Sequence, residues 1–219
     1  MFTARFPELK RLFDANARWA EEMNEQDPDF LPGTMKGQFP KFLWFGCADS
    51  RVPESVLLEQ KPGVLFVHRN IANQFHPEDD SANAVLEYGI GPVGCQHVMI
   101  VAHTGCGGCI VAHDSPPPAP QAEETTTPLG RFIAPLIELR HSLPAGADGV
   151  NDLILANLRR SVENMTKSPA IQTAWELGRK GELQHIYVHG MIYDMASGRL
   201  KDLGLSVGPE GPVSLFDEV

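Results

Sequence analysis

Five residues at two places in this 219-residue chain have the types and spacing of a metal-assisted site. Cys47, Asp49 and Arg51 alternate directly after the apolar run 41–46, and His103 and Cys106 follow the apolar run 97–102. Residues two apart on an extended chain face the same way. Asp49 would then stand beside whatever Cys47 binds, and Arg51 could fork onto the Asp49 carboxylate. Zinc prefers thiolate and imidazole donors, and a catalytic site supplies three of them and keeps a fourth position open. Cys47, His103 and Cys106 meet that count, which predicts one Zn2+ per chain with Asp49 near the open position. Singly these residues say little: a cysteine after a buried strand is usually a small core residue, and a surface Asp–Arg pair is worth little. The combination at two strand ends carries the reading.

Cys109 keeps an alternative open. Cys106-Gly107-Gly108-Cys109 has the C-x-x-C spacing of redox pairs and zinc knuckles. With Cys109 as a fourth ligand the site would be closed, and the chain a zinc-stabilised, non-catalytic module. With Cys106 and Cys109 as a redox pair it would be a thiol oxidoreductase. If Cys106 opens a helix, Cys109 falls in the first turn and points away from the metal, packed beneath the glycines. Cys95 has no ligand near it in sequence and reads as packing.

The elements that must position these groups follow from the hydrophobic pattern. The runs 41–46, 64–67, 97–102 and 186–193 are short and apolar, as buried strands are, and 199–205 after the turn 196–199 predicts an antiparallel edge strand. Helices are expected at 54–59, from about Ser81 to Gly89 with Asp80 or Ser81 as cap, just after Gly105, and over 129–141, 150–166 and 169–180. Residues 3–24 carry an apolar stripe at helical spacing, and the polar, proline-containing stretch 24–40 reads as a loop. Residues 114–128 read as a proline-rich surface loop. Strands alternating with helices predict an α/β fold: a central, mostly parallel sheet covered by helices, with an N-terminal helical arm (1–40) and an antiparallel edge strand. With no internal repeat or boundary visible, residues 1–219 read as one catalytic domain. In such sheets sites gather at the carboxyl ends of strands, where the five residues fall.

Composition narrows the partners. Eighteen Lys and Arg against 28 Asp and Glu give a net charge of -10, which argues against nucleic acid. No apolar stretch approaches the roughly 20 residues of a membrane span, and no secretory signal is visible. Four cysteines are too few for a disulfide scaffold and suit a reducing compartment, so the cytoplasm is expected. A mitochondrial reading from Arg5, Lys10 and Arg11 is offset by Glu8 and Asp14.

Cys47-Ala48-Asp49-Ser50-Arg51, then Leu65-Phe66-Val67-His68-Arg69-Asn70-Ile71-Ala72-Asn73, then His103-Thr104-Gly105-Cys106-Gly107-Gly108 resembles the β-class carbonic anhydrases. The resemblance implies reversible hydration of CO2 to bicarbonate and a proton, with zinc on Cys47, His103 and Cys106 and a dyad of Asp49 and Arg51 orienting the hydroxide. It implies a homodimer, with the tetramer as an alternative, whose N-terminal arm embraces the second subunit. Gln38 matches a position that donates to substrate across the dimer interface, and Phe66 and Tyr88 match apolar wall positions, with Gly107 also at the pocket. Trp44, Arg69 and Tyr193 resemble a trio that forms an inhibitory bicarbonate site in one subgroup, with Gly46 leaving room beside Trp44. In that subgroup Asp49 leaves Arg51 for the open zinc position; otherwise the trio reads as strand core and local pairing. Cys109 stands where the family commonly has an aliphatic residue. Hydrolysis of carbonyl sulfide or carbon disulfide on the same scaffold is the alternative activity. Two thiolate ligands weaken the acidification of water, so activity is expected to climb on the alkaline side of neutrality.

Overall fold

The computed structural model describes residues 5–117, 127–147 and 149–216, and its four longer apolar runs form parallel strands of one sheet. These are β1 (Phe42–Cys47), β2 (Leu65–Asn70), β3 (His97–His103) and β4 (Tyr187–Asp194). They lie in the order β2-β1-β3-β4, with Leu43 opposite Phe66 on one side and Val98 on the other. β5 (Arg199–Asp202) pairs antiparallel with the outer half of β4, and β6 (Val207–Gly208) pairs antiparallel with its Val188. β7 (Gly211–Pro212) adds to β6. The expected edge strand 199–205 is therefore shorter, because Gly204 takes a positive φ of 66° and donates its N–H to Asp202 Oδ1. β6 and β7 are two residues each, too short to show a period in sequence.

The chain divides into two compact units between Gln38 and Phe39. The first holds α1 (Pro7–Gln26) and α2 (Phe30–Thr34). α2 corrects the reading of 24–40 as loop throughout: Pro32 sits in the first turn, where a missing N–H costs nothing. In the second unit lie α3 (Glu54–Leu57), α4 (Asp80–Ile90), α5 (Gly107–Asp114), α6 (Pro128–Ser142), α7 (Val150–Lys167) and α8 (Pro169–Arg179). The cap of α4 is Asp79 rather than Asp80 or Ser81; its carboxylate accepts from the N–H groups of Ser81 and Ala82. Thr127 and Ser168 cap α6 and α8, each followed by proline at the first helical position. Most of the proline-rich stretch, 118–126, lies outside the described residues.

Strand alternation sorts the side chains into two unequal layers. Leu43, Phe45, Val98, Ile100 and Val188 join the large core with Leu86, Leu153, Leu158, Ile171 and Trp175 of α4, α7 and α8. Trp44, Met99, Val101 and Met191 form a smaller cluster, closed by Leu58, Val67, Tyr193, Leu200 and Leu215. Gly46 is required there, since a Cβ on it would overlap the Trp44 indole.

At the amino ends of the strands the rings of Phe42, His97, Tyr187 and His189 stack side by side. His97 Nδ1 lies 3.0 Å from His189 Nε2, and His189 Nδ1 lies 2.9 Å from the hydroxyl of buried Ser206. Burial, helped by His97, pushes His189 from about 6.5 down to about 4, against a smaller pull from Asp202. An unfolded chain therefore takes up this proton at higher pH than the native one, so the contribution to stability is complete above about pH 6.5 and drains away toward pH 4. Denaturant midpoints of the wild type should fall across that window, and His189→Gln should give a shallower fall; parallel slopes would show that His189 does not carry it.

Candidate metal centre

Three donors meet at the carboxyl edge of the sheet. Cys47 ends β1 and His103 ends β3, and the parallel pairing that sets Gly46 opposite Val101 makes these two strand ends neighbours. Cys106 follows His103 after a turn that uses Gly105 at a φ of 66°, and occupies the N-cap of α5. The sulfurs of Cys47 and Cys106 are 4.0 Å apart, and the ligand atoms of all three residues lie within 4.8 Å of one another. All three residues are buried. Among the described residues, Cys109 is not part of this group.

The donor set fits zinc. His103 Nδ1 lies 3.0 Å from the Thr104 carbonyl, which can only accept, so the ring proton belongs on Nδ1 and the Nε2 lone pair is free to ligate. Nε2 is buried and has no hydrogen-bond partner among the described residues. A buried acceptor left unmatched costs about 1–3 kcal/mol, and a cation between it and two soft sulfurs removes that cost. Left to themselves the thiols stay protonated: the Cys106 thiol and burial push Cys47 up to about 12, and neighbouring Cys109, with burial, pushes Cys106 up to about 11.

Asp49 and Arg51 meet as their spacing predicts. Arg51 donates from Nε to Oδ1 at 2.9 Å and from Nη2 to Oδ2 at 2.7 Å, and its backbone N–H also reaches Oδ1 at 2.9 Å. That guanidinium holds the carboxyl well below the usual carboxylate range. Arg51 Nη2 also donates to the Gly105 carbonyl at 3.1 Å, tying the pair to the turn before Cys106. Asp49 Oδ2 stands 3.9 Å from His103 Nε2.

The sequence model of the carbonic anhydrase family matches residues 42–200, which include every group just described. A tetrameric β-carbonic anhydrase of the filamentous ascomycete Sordaria macrospora, 29% identical, superposes with a TM-score of 0.79 over 92% of this chain and 100% of its own. The chain belongs to the β-class carbonic anhydrases. A carbonic anhydrase of Emericella nidulans is 30% identical over 205 residues, covering 89% of this chain and 83% of that protein. One of Saccharomyces cerevisiae is 31% identical over 204 residues, covering 88% and 87%.

Other residues steady the centre of this carbonic anhydrase in ways the sequence did not mark: Arg69 was expected only in the trio with Trp44 and Tyr193, and Asn157 not at all. Arg69 donates from Nε to the Cys47 carbonyl at 2.8 Å and from Nη2 to the Asp49 carbonyl at 2.6 Å, clamping the backbone between ligand and carboxylate. Asn157 of α7 donates to the carbonyl of Ala72, whose φ is 62°. The start of α5 presses on the same turn: a Cβ on Gly108 would come within 2.7 Å of Ile71 Cγ2. Met195 Sδ lies 3.3 Å from His103 Nδ1. Of the remaining expected residues, Phe66 and Tyr88 meet each other, with ring centroids 5.9 Å apart. They stand away from their own chain's donors, because Phe66 precedes Asn70, the partner of Cys47, by four residues, about 13 Å along a strand. Gly107 opens α5 with free space around its Cα, and Gln38 is exposed at the end of the first unit. Trp44 and Tyr193 share the smaller cluster, and the indole N–H of Trp44 is buried without a partner among the described residues.

Because both thiols are protonated before a cation arrives, zinc uptake near pH 7.5 should release about two protons per ion. Titration calorimetry in buffers of different ionisation enthalpy measures this directly; release of none would show that the sulfurs are not ligands.

Proposed function

We propose that the chain catalyses the reversible hydration of CO2 to bicarbonate and a proton, with zinc held by Cys47, His103 and Cys106 and the reactants arranged by Asp49 and Arg51. The observation that carries this reading is the unmatched, buried His103 Nε2 beside two buried sulfurs, 3.9 Å from a carboxylate that a guanidinium keeps ionised. Zinc at this position would act as a Lewis acid, bringing the pKa of a water molecule toward neutrality.

The protein's own residues do the rest. Ionised Asp49 accepts a hydrogen bond from the attacking oxygen and so turns a lone pair toward CO2. Each carboxylate oxygen can accept more than one hydrogen bond, so the Arg51 fork leaves that capacity intact. Arg51 holds the carboxylate in place and, through Gly105, in step with Cys106. The proton lost from water leaves past Asp49 and Arg51, whose side chains are 14% and 56% exposed, and water replaces the departing bicarbonate.

The same reading makes the protein a homodimer. Leu9, Leu12 and Phe13 of α1 are exposed, and a second copy would cover them. Gln38, Phe66 and Tyr88 would then line the site of that second copy, which fits the half-exposed Tyr88 ring. The unmatched indole N–H of Trp44 supports an inhibitory bicarbonate site with Arg69 and Tyr193. Four cysteines outside any disulfide, two of them zinc ligands in this reading, suit a reducing compartment, and we place the protein in the cytoplasm.

Stopped-flow CO2 hydration by the zinc-loaded protein tests the proposal. Asp49→Asn and Arg51→Gln should each lower kcat/KM by about 100-fold while zinc content stays at one per chain. A fully metallated wild type that turns over carbonyl sulfide but not CO2 would transfer the site to the alternative substrate.

A further inference from the structure

Cys109 is, among the described residues, the thiol near the metal centre for which the hydration chemistry has no use. It is buried, 1% exposed, in the large core that also contains Cys106. Cys106 is the N-cap of α5, so Gly107 and Gly108 are the first two helical residues and Cys109 the third. In a capping box the side chains at these two positions each reach the other's backbone N–H, so N-cap and third-position groups sit over the same first turn. The two intervening residues are glycines, which add no side chains of their own to that turn.

We propose that Cys106 and Cys109 form a reversible disulfide under hydroperoxide oxidants, and that its formation releases the metal. The proposal rests on the reading of Cys106 as a zinc ligand. A metal-bound cysteine sulfur has thiolate character and attacks one oxygen of hydrogen peroxide; the O–O bond breaks, giving Cys106 sulfenic acid and, with one proton, a water molecule. The Cys109 thiol then attacks the sulfenic sulfur, the S–S bond forms, and the hydroxyl leaves as a second water with the Cys109 proton. Two thiols are oxidised by two electrons and one peroxide is reduced to two waters. The Cys47 sulfur also lies close to Cys106, at 4.0 Å. While zinc is in place, however, Cys47 is itself coordinated, and Cys109 is the thiol left free to resolve the sulfenic acid. Reduction of the disulfide regenerates the ligand, so the step is a switch rather than damage.

The zinc-loaded protein is treated with hydrogen peroxide while zinc release is followed with a chromogenic chelator. Remaining thiols are alkylated and the disulfide is mapped by mass spectrometry. The wild type should lose its zinc together with about two thiols per chain, show a Cys106–Cys109 link with Cys47 and Cys95 alkylated, and recover zinc binding after dithiothreitol. Cys109→Val, and Cys109→Ser should the valine variant fold poorly, should release zinc more slowly and without recovery by dithiothreitol. A Cys47–Cys106 link in the wild type, or equal rates and equal recovery in wild type and variants, would overturn the proposal. Zinc content and CO2 hydration measured before oxidation keep the two readings apart: a protein without either fails as a hydratase, while the linkage map still decides the disulfide.

Discussion

Everything at the metal centre depends on the parallel pairing of β1 with β3. Cys47 and His103 are 56 positions apart in the chain, and the register that sets Gly46 opposite Val101 makes them neighbours. A slip of one residue would turn Cys47 to the other face and carry the sulfur away from the imidazole. What resists a slip is the sorting of side chains on the two faces. Leu43 and Phe45 go into the large core, while Trp44 needs the smaller one and the missing side chain of Gly46 beside it. Metal chemistry at one end of the sheet is therefore specified by hydrocarbon packing along its whole length.

Around this register the protein builds the centre from backbone as much as from side chains. Arg69 holds two carbonyls between Cys47 and Asp49, Arg51 holds the carboxylate and the Gly105 carbonyl, and Thr104 orients His103 with its own carbonyl. These bonds are made by charged or buried groups, which makes them stronger than exposed ones. The turn after β2 is held in the same way: the positive φ angles at Ala72 and Asn73 lie where Asn157 and the start of α5 press on it.

Much of this is legible in the sequence, because the decisive signals are local. Apolar runs ending in a ligand announce the strands, alternation places Asp49 and Arg51 together, and Ser168 with Pro169 marks the start of α8, whereas Pro128, read as the end of the proline-rich loop, opens α6. The sequence was silent where the outcome depends on remote packing. α2 was hidden because Pro32, read as a breaker, is harmless in a first turn; β6 and β7 are too short for a period; Asp79 outcompetes its neighbours as a cap only because of where the chain enters α4. The clamp by Arg69 and the anchor at Asn157 join residues whose proximity only the fold creates.

The wide separation of the ligands in the chain also governs the order in which the centre can come into being. His103 and Cys106 are three residues apart and can grip an ion on a chain that has barely begun to fold, but two donors hold it weakly. The third arrives when β1 docks beside β3, after the intervening β2 and α4 have been looped out, an entropically slow closure. The complete donor set is thus a product of long-range strand pairing and not of any single turn.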